Sequence, residues 1–168
     1  MYHAVMVRIN TVRGLQNGQS EETSMILLQL QILGEMVLAM LLGGAIGFDR
    51  EEADKPAGLR THMLVAGSAA LLTGLGGLLI PQVGIDNSLI TTDPLRTMEA
   101  VITGISFLGA GTIIRHRGNN KVEGLTTAAS LLFAGALGIS VALRQYVLAI
   151  GATAAVLLTL RALKHIDI

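Results

Sequence analysis

The chain has 168 residues, 51% of them hydrophobic and only 14% charged, with zero formal net charge and no cysteine. Its mean hydropathy is +0.61, whereas soluble domains carry about a quarter charged residues, so the composition lies on the membrane side of that comparison. Zero net charge without a long basic run argues against nucleic acid as a partner, and the lack of cysteine removes disulfide frameworks and thiol metal sites.

Residues 1–24 are polar and lack the apolar stretch of a signal peptide. They read as a disordered tail, or as an over-long start upstream of Met25, and the membrane domain is expected over 25–168. A helix needs about 20 apolar residues to cross the hydrocarbon core. Candidate runs are 28–48, 61–80, 97–114, 125–143 and 147–163. Pro81 should end the second, and Asp93-Pro94 fits a helix start with proline in its first position. The fold class is therefore all-α, a polytopic bundle of about five transmembrane helices.

Loop 49–60 holds Arg50, Lys55 and Arg60, loop 115–124 holds Arg115, Arg117 and Lys121, and the C-terminal tail holds Arg161 and Lys164, against Arg96 and Arg144 in the alternate loops. By the positive-inside rule the charged loops and the C-terminus lie in the cytoplasm, with the N-terminus outside. The helices carry stripes rich in small residues: Glu35, Ala39, Gly43 and Gly47 recur every four residues in the first, Ala100, Gly104, Phe107 and Gly111 share a face in the third, and Ser130, Ala134, Gly138 and Ala142 do in the fourth. Small residues let backbones approach closely in lipid, which predicts a compact bundle and a homodimer.

A shift of 66 residues aligns Gly43 with Gly109, Lys55 with Lys121, Gly58-Leu59 with Gly124-Leu125 and Thr61 with Thr127. Both halves then read helix, charged loop, Gly-Leu-x-Thr, helix, the pattern of a parallel repeat. The first loop is acidic, with Asp49, Glu51, Glu52 and Asp54, and the second basic, so the two are expected to dock on each other.

Carboxylates within spans are costly and are functional candidates by default. Glu99 shares a stripe with Thr103 and Ser106 that would form a polar track through the bundle, and Glu35 lies on the small-residue face of the first helix. Asp49 belongs to the acidic loop. These three are the candidate metal ligands, because magnesium takes one or two carboxylates and keeps several waters. His62 lacks a second histidine at ligand spacing and reads as a headgroup or loop contact. Hydroxyls of the Thr126-Thr127 pair could cap the fourth helix. No nucleotide-binding loop, Ser-His-Asp arrangement or H-E-x-x-H is present, so the chain is not expected to be an enzyme, and no cofactor is implied beyond Mg²⁺ as a substrate or ligand.

Five segments carry a resemblance to a known family: Gly43–Glu51 (GGAIGFDRE), Lys55–His62 (KPAGLRTH), Asp93–Arg96 (DPLR), Gly104–Gly111 (GISFLGAG) and Gly124–Ala129 (GLTTAA). The chain resembles the MgtC/SapB family of bacterial inner-membrane proteins over roughly residues 30–163. Asp49 stands where that family usually has Glu, Ala100 where Gln is common and Ser106 where Gly is common. The motif residues carried over are Asp49, Arg50, Glu51, Lys55, Gly58, Arg60, Thr61, His62, Asp93, Arg96, Gly104, Gly109, Gly111, Gly124, Thr126 and Thr127. The resemblance implies a multi-pass plasma-membrane protein tied to magnesium homeostasis; the expected function is a transporter-like one, moving Mg²⁺ or another cation, and the alternative is a non-transporting regulator of another membrane complex such as the ATP synthase. Several members add a soluble C-terminal domain, which this chain is expected to lack.

Overall fold

A computed structural model describes residues 2–82, 94–115 and 122–162, with side chains described over 22–78, 95–113 and 122–162. Five helices follow one another: α1 (Tyr2–Glu52), α2 (Leu59–Gln82), α3 (Pro94–Ala110), α4 (Leu125–Ala142) and α5 (Tyr146–Ala162). The protein is an all-α membrane helix bundle. Segments Glu22–Glu52, Leu59–Leu78 and Leu125–Ala142 have the length and hydropathy of membrane spans. Helices α3 and α5 have 17 residues each, about 25 Å at 1.5 Å per residue.

Several boundaries differ from the sequence reading. Where a disordered tail is expected over 1–24, the backbone is helical from Tyr2, and the boundary at Met25 falls inside that helix. Helix α2 continues one residue past Pro81. The third run ends at Ala110 rather than 114, because the chain leaves the helix at Gly111 and the Thr112 hydroxyl donates to the Gly109 carbonyl at 2.7 Å. Beyond it, β1 (Ile114–Arg115) pairs antiparallel with β2 (Val122–Glu123), a short ribbon where the sequence suggests only a charged loop. Helix α3 does begin at Pro94, where a missing N–H costs nothing.

Helices α1, α2 and α4 pack on one another; α3 leans on α2 and α4, and α5 on α1 and α4. The interior is built largely of alanine: Ala39, Ala66, Ala69, Ala70 and Ala134 are fully or almost fully buried, with Ile46, Leu131 and Leu137 filling between them. Lipid tails give no hydrophobic drive between helices, so close backbone packing has to hold them. A Cβ on Gly43 would lie 2.6 Å from the Ala66 Cβ, and one on Gly47 would lie 2.8 Å from the Gly58 carbonyl oxygen. A Cβ on Gly138 would strike the Ala66 carbonyl oxygen and approach the Ala69 Cβ at 2.9 Å. Large apolar side chains such as Leu41, Leu64 and Val147 point outward, as lipid contact requires.

Two of the three small-residue stripes therefore work inside the chain. The third does not: Ala100, Gly104, Phe107 and Gly111 are all exposed, and nothing lies within 4 Å of a Cβ placed on Gly104. That stripe faces away from the bundle because the apolar residues of α3, Val101 and Ile105, take the inward side.

Candidate functional site

Polar side chains gather at the two ends of the α1–α2–α4 core. The larger cluster forms where α1 ends. Asp49 and Arg50 are both buried there, and a cation in the last turn suits the negative end of the helix dipole. Arg50 Nη2 donates to Asp49 Oδ2 at 2.7 Å. Arg161, from the end of α5, donates through Nε to Asp49 Oδ1 at 3.2 Å. Both carboxylate oxygens of Asp49 are thus occupied by guanidinium groups. Arg50 Nε is buried and has no partner among the described residues, an exception to the rule that buried donors are bonded.

One residue further, Glu51 reaches across the turn and its Oε2 accepts from the Leu59 backbone N–H at 2.8 Å. A first-turn amide of α2 is thereby satisfied by a carboxylate, which also suits the positive end of that helix. This contact explains Gly58, since a Cβ there would meet Glu51 Oε2 at 2.7 Å. Asp54 takes the left-handed conformation at φ 54° to turn the chain back toward α2.

His62 is fully buried, which corrects its reading as a headgroup contact; the loop contact is made, inward to Gly58. Its Nδ1 lies 2.9 Å from the Gly58 carbonyl oxygen, and its Nε2 lies 2.9 Å from Ser130 Oγ on α4. A carbonyl only accepts, so Nδ1 carries the proton and Nε2 accepts from the serine hydroxyl. The Thr127 carbonyl, 2.8 Å from the same hydroxyl, is a second acceptor for its hydrogen. A polar side chain thereby crosses from α2 to α4 within an apolar core.

At the other end lies Glu35, buried to 6% exposure. Gln31 Nε2 donates to its Oε1 at 2.6 Å, the Tyr146 hydroxyl lies 3.4 Å from the same oxygen, and Arg144 Nε approaches it at 3.5 Å. Arg144 occupies the α4–α5 turn at φ 60°, a left-handed conformation that side chains rarely adopt. A cavity of about 260 Å³ lies beside the cluster, lined in part by Gln31, Glu35, Thr73 and Arg144. Glu35 and Asp49 stand fourteen positions apart on α1, about 21 Å along the helix, and the core between the clusters is largely apolar, with the Thr153 hydroxyl turned back onto the Ala149 carbonyl.

The structure thus unites Asp49, Arg50, Glu51, Gly58, His62 and Thr127 at one end, and adds Arg161 and Ser130, which the sequence reading left out. Lys55, Arg60 and Thr126 are exposed around that end. Gly124 holds φ +90°, with the Thr112 carbonyl oxygen against any added Cβ. The three candidate metal ligands do not converge. Asp49 is held by arginines, Glu35 lies in the opposite cluster, and Glu99 is exposed with Thr103 and Ser106 on the outer face of α3, so their polar track does not run through the interior. Among the described residues no group of three or more His, Asp or Glu side chains could hold a metal. Within the described residues the acidic loop engages α2 through Glu51 and Arg161 through Asp49; the side chains of Arg115, His116, Arg117 and Lys121, its expected docking partners, lie outside the described residues, as does Asp93.

The sequence profile of the MgtC family matches residues 36–167. A protein of Haemophilus influenzae is 37% identical over 132 residues, covering 79% of this chain and 55% of that protein. YhiD of Escherichia coli K12, whose description proposes a magnesium transporter, is 35% identical over 129 residues, or 74% of this chain and 57% of its own length. MgtC of Salmonella typhimurium LT2 is 38% identical over 124 residues, or 73% of this chain and 48% of its own. The chain thus spans about half the length of these relatives. No solved structure matches it.

Proposed function

We propose that this chain, which belongs to the MgtC family, is a multi-pass protein of the bacterial inner membrane that serves magnesium homeostasis by binding and modulating another membrane complex. All five helices cross the bilayer in this reading, N-out and C-in, and the chain works as a homo-oligomer. The link to magnesium rests on the family and on what YhiD is described as. The observation that carries the choice of regulator over conductor is the outward face of Glu99, Thr103 and Ser106: a hydrated cation gives up water reluctantly and needs oxygen ligands along its path, and the polar stripe that would supply them turns away from the interior. The Asp49–Arg50–Arg161 cluster is the working surface. It keeps a buried guanidinium with an unused donor beside the cytoplasmic boundary.

Transport of Mg²⁺ or another cation is the second reading, favoured by the cavity beside Glu35. Purified chain in liposomes separates the two. The regulator reading expects no magnesium flux while the same chain, and its Glu35→Gln variant, still support growth in low magnesium. Flux that disappears in Glu35→Gln would reject it and install the transporter.

A further inference from the structure

The outer face of α3 carries two side chains of opposite charge, Arg96 and Glu99, that the described part of the bundle leaves uncovered. Along it Arg96, Ala100, Thr103, Phe107 and Ala110 are exposed, Phe107 to 83%. Their spacing alternates four and three residues. That 3.5-residue period fits the seam of a left-handed helix pair. The opposite side, with Val101, Ile105 and Gly109, is buried against the bundle. Glu99 and Ser106 flank the seam on one side, and Gly104, with open space around it, on the other.

Charge decides what covers this face. Neither Arg96 nor Glu99 makes an ion pair among the described residues, and both are exposed. Lipid offers a carboxylate no compensation. The two residues have opposite signs and sit one helical turn apart. A two-fold axis along the membrane normal makes an interface of the same patch on both subunits, and it brings Arg96 of one chain within reach of Glu99 of the partner subunit, twice over. Ala100 and Gly104 leave room for the backbones to close, while Thr103 turns its hydroxyl back onto the Glu99 carbonyl at 2.7 Å and so needs no partner across the seam. We propose that a second copy of this chain covers the face, in a symmetric dimer with its two α3 helices side by side and two reciprocal Arg96–Glu99 pairs. This gives a surface to the homo-oligomer of the functional reading and rests on that part of it alone.

The chain's lack of cysteine makes the test direct. Single cysteines at Ala100, Thr103, Phe107 or Ala110, and at Ile102 off the seam, are oxidised in native membranes carrying the full chain. Cross-linked dimer is expected at the seam positions and lost at Ile102→Cys. With Phe107→Cys as reporter, Arg96→Glu and Glu99→Arg should each abolish the dimer and the double exchange should restore it. Cross-linking that ignores the 4-3 period, a double exchange that restores nothing, or capture of a different membrane protein in place of the dimer would each overturn the proposal. The readout is independent of magnesium, so it stands or falls apart from the flux and growth experiments.

Discussion

In the α1–α2 hairpin a Cβ on Gly43 would meet the Ala66 Cβ at 2.6 Å and the His62 carbonyl oxygen at 2.7 Å, whereas in the α3–α4 hairpin a Cβ on Gly109 would meet Ala128 at 3.4 Å. The glycines are 66 residues apart in sequence, and so are His62 and Ala128. The two hairpins share one register: Gly58 precedes α2 as Gly124 precedes α4, and the helices begin at Leu59 and Leu125. Their finishing differs. The first hairpin closes to backbone contact at Gly43 and buries Asp49, Arg50 and His62; the second packs at an ordinary distance at the matching Gly109 and has alanine where the first has its buried imidazole. Equal spacing in sequence thus sets where helices turn, and side-chain size and charge set how tightly they close. Even the paired glycines have separate causes, a carboxylate beside Gly58 and a left-handed φ at Gly124.

The comparison breaks most visibly at Asp49. Removing one partner of a buried ion pair costs about 3–5 kcal/mol, because Arg50 would be left charged in the interior. Asp49→Asn should therefore lose most of its folded protein in detergent melts, and near-normal melting would mean that water reaches the cluster. Gly43→Ala comes next, at about 1–3 kcal/mol from overpacking against atoms that cannot yield, while Gly109→Ala should melt like the parent chain. Equal losses for the two alanines would erase the distinction between the hairpins. Ser130→Ala should cost about 1–3 kcal/mol, the penalty for a buried acceptor left without a donor, and Ser130→Thr should recover part of it if the hydroxyl is what matters. Smallest is Arg161→Gln. This partner of Asp49 is 64% exposed, and exposed pairs contribute about 0–1 kcal/mol, so its melting point should barely move; a loss matching Asp49→Asn would put Arg161 rather than Arg50 at the centre of the cluster.

The membrane bundle and the register of its hairpins were legible in the sequence, because hydropathy, glycine spacing and turn residues act locally. The direction in which α3 faces was not. Glu99, Thr103 and Ser106 form a stripe in any helical reading, but which side of a helix turns inward depends on its neighbours, and Val101 and Ile105 found the apolar groove of α2 and α4. His62 was misread for a related reason. Its partner lies 68 residues away on α4, and no local pattern marks a histidine whose second nitrogen is met by a serine from another helix. Arg161 escaped notice as a basic residue of the tail, counted for orientation and not for the carboxylate it reaches. The opposite charges of the two loops suggested a docking whose basic side chains lie outside the described residues, while Arg161 and the Leu59 amide are the partners the acidic turn has within them.

The bond between Glu51 and the Leu59 amide has a bearing on how the protein is made. It spans eight residues, so a nascent chain that has emerged only as far as α2 already holds both members of it, together with Gly43, Gly47 and the Asp49–Arg50 pair. The first hairpin can thus enter the bilayer as a unit with its turn already fastened. What it lacks at that moment is Ser130, still to be synthesised. His62 Nε2 stays unanswered until α4 arrives, and the unmet acceptor holds the hairpin's open side ready for that helix over one lacking a hydroxyl at that height. Synthesis order and hydrogen bonding then agree on a single assembly sequence, α1 with α2 first and α4 second. Chains halted before and after residue 130 should show protease resistance of α2 rising only in the longer one.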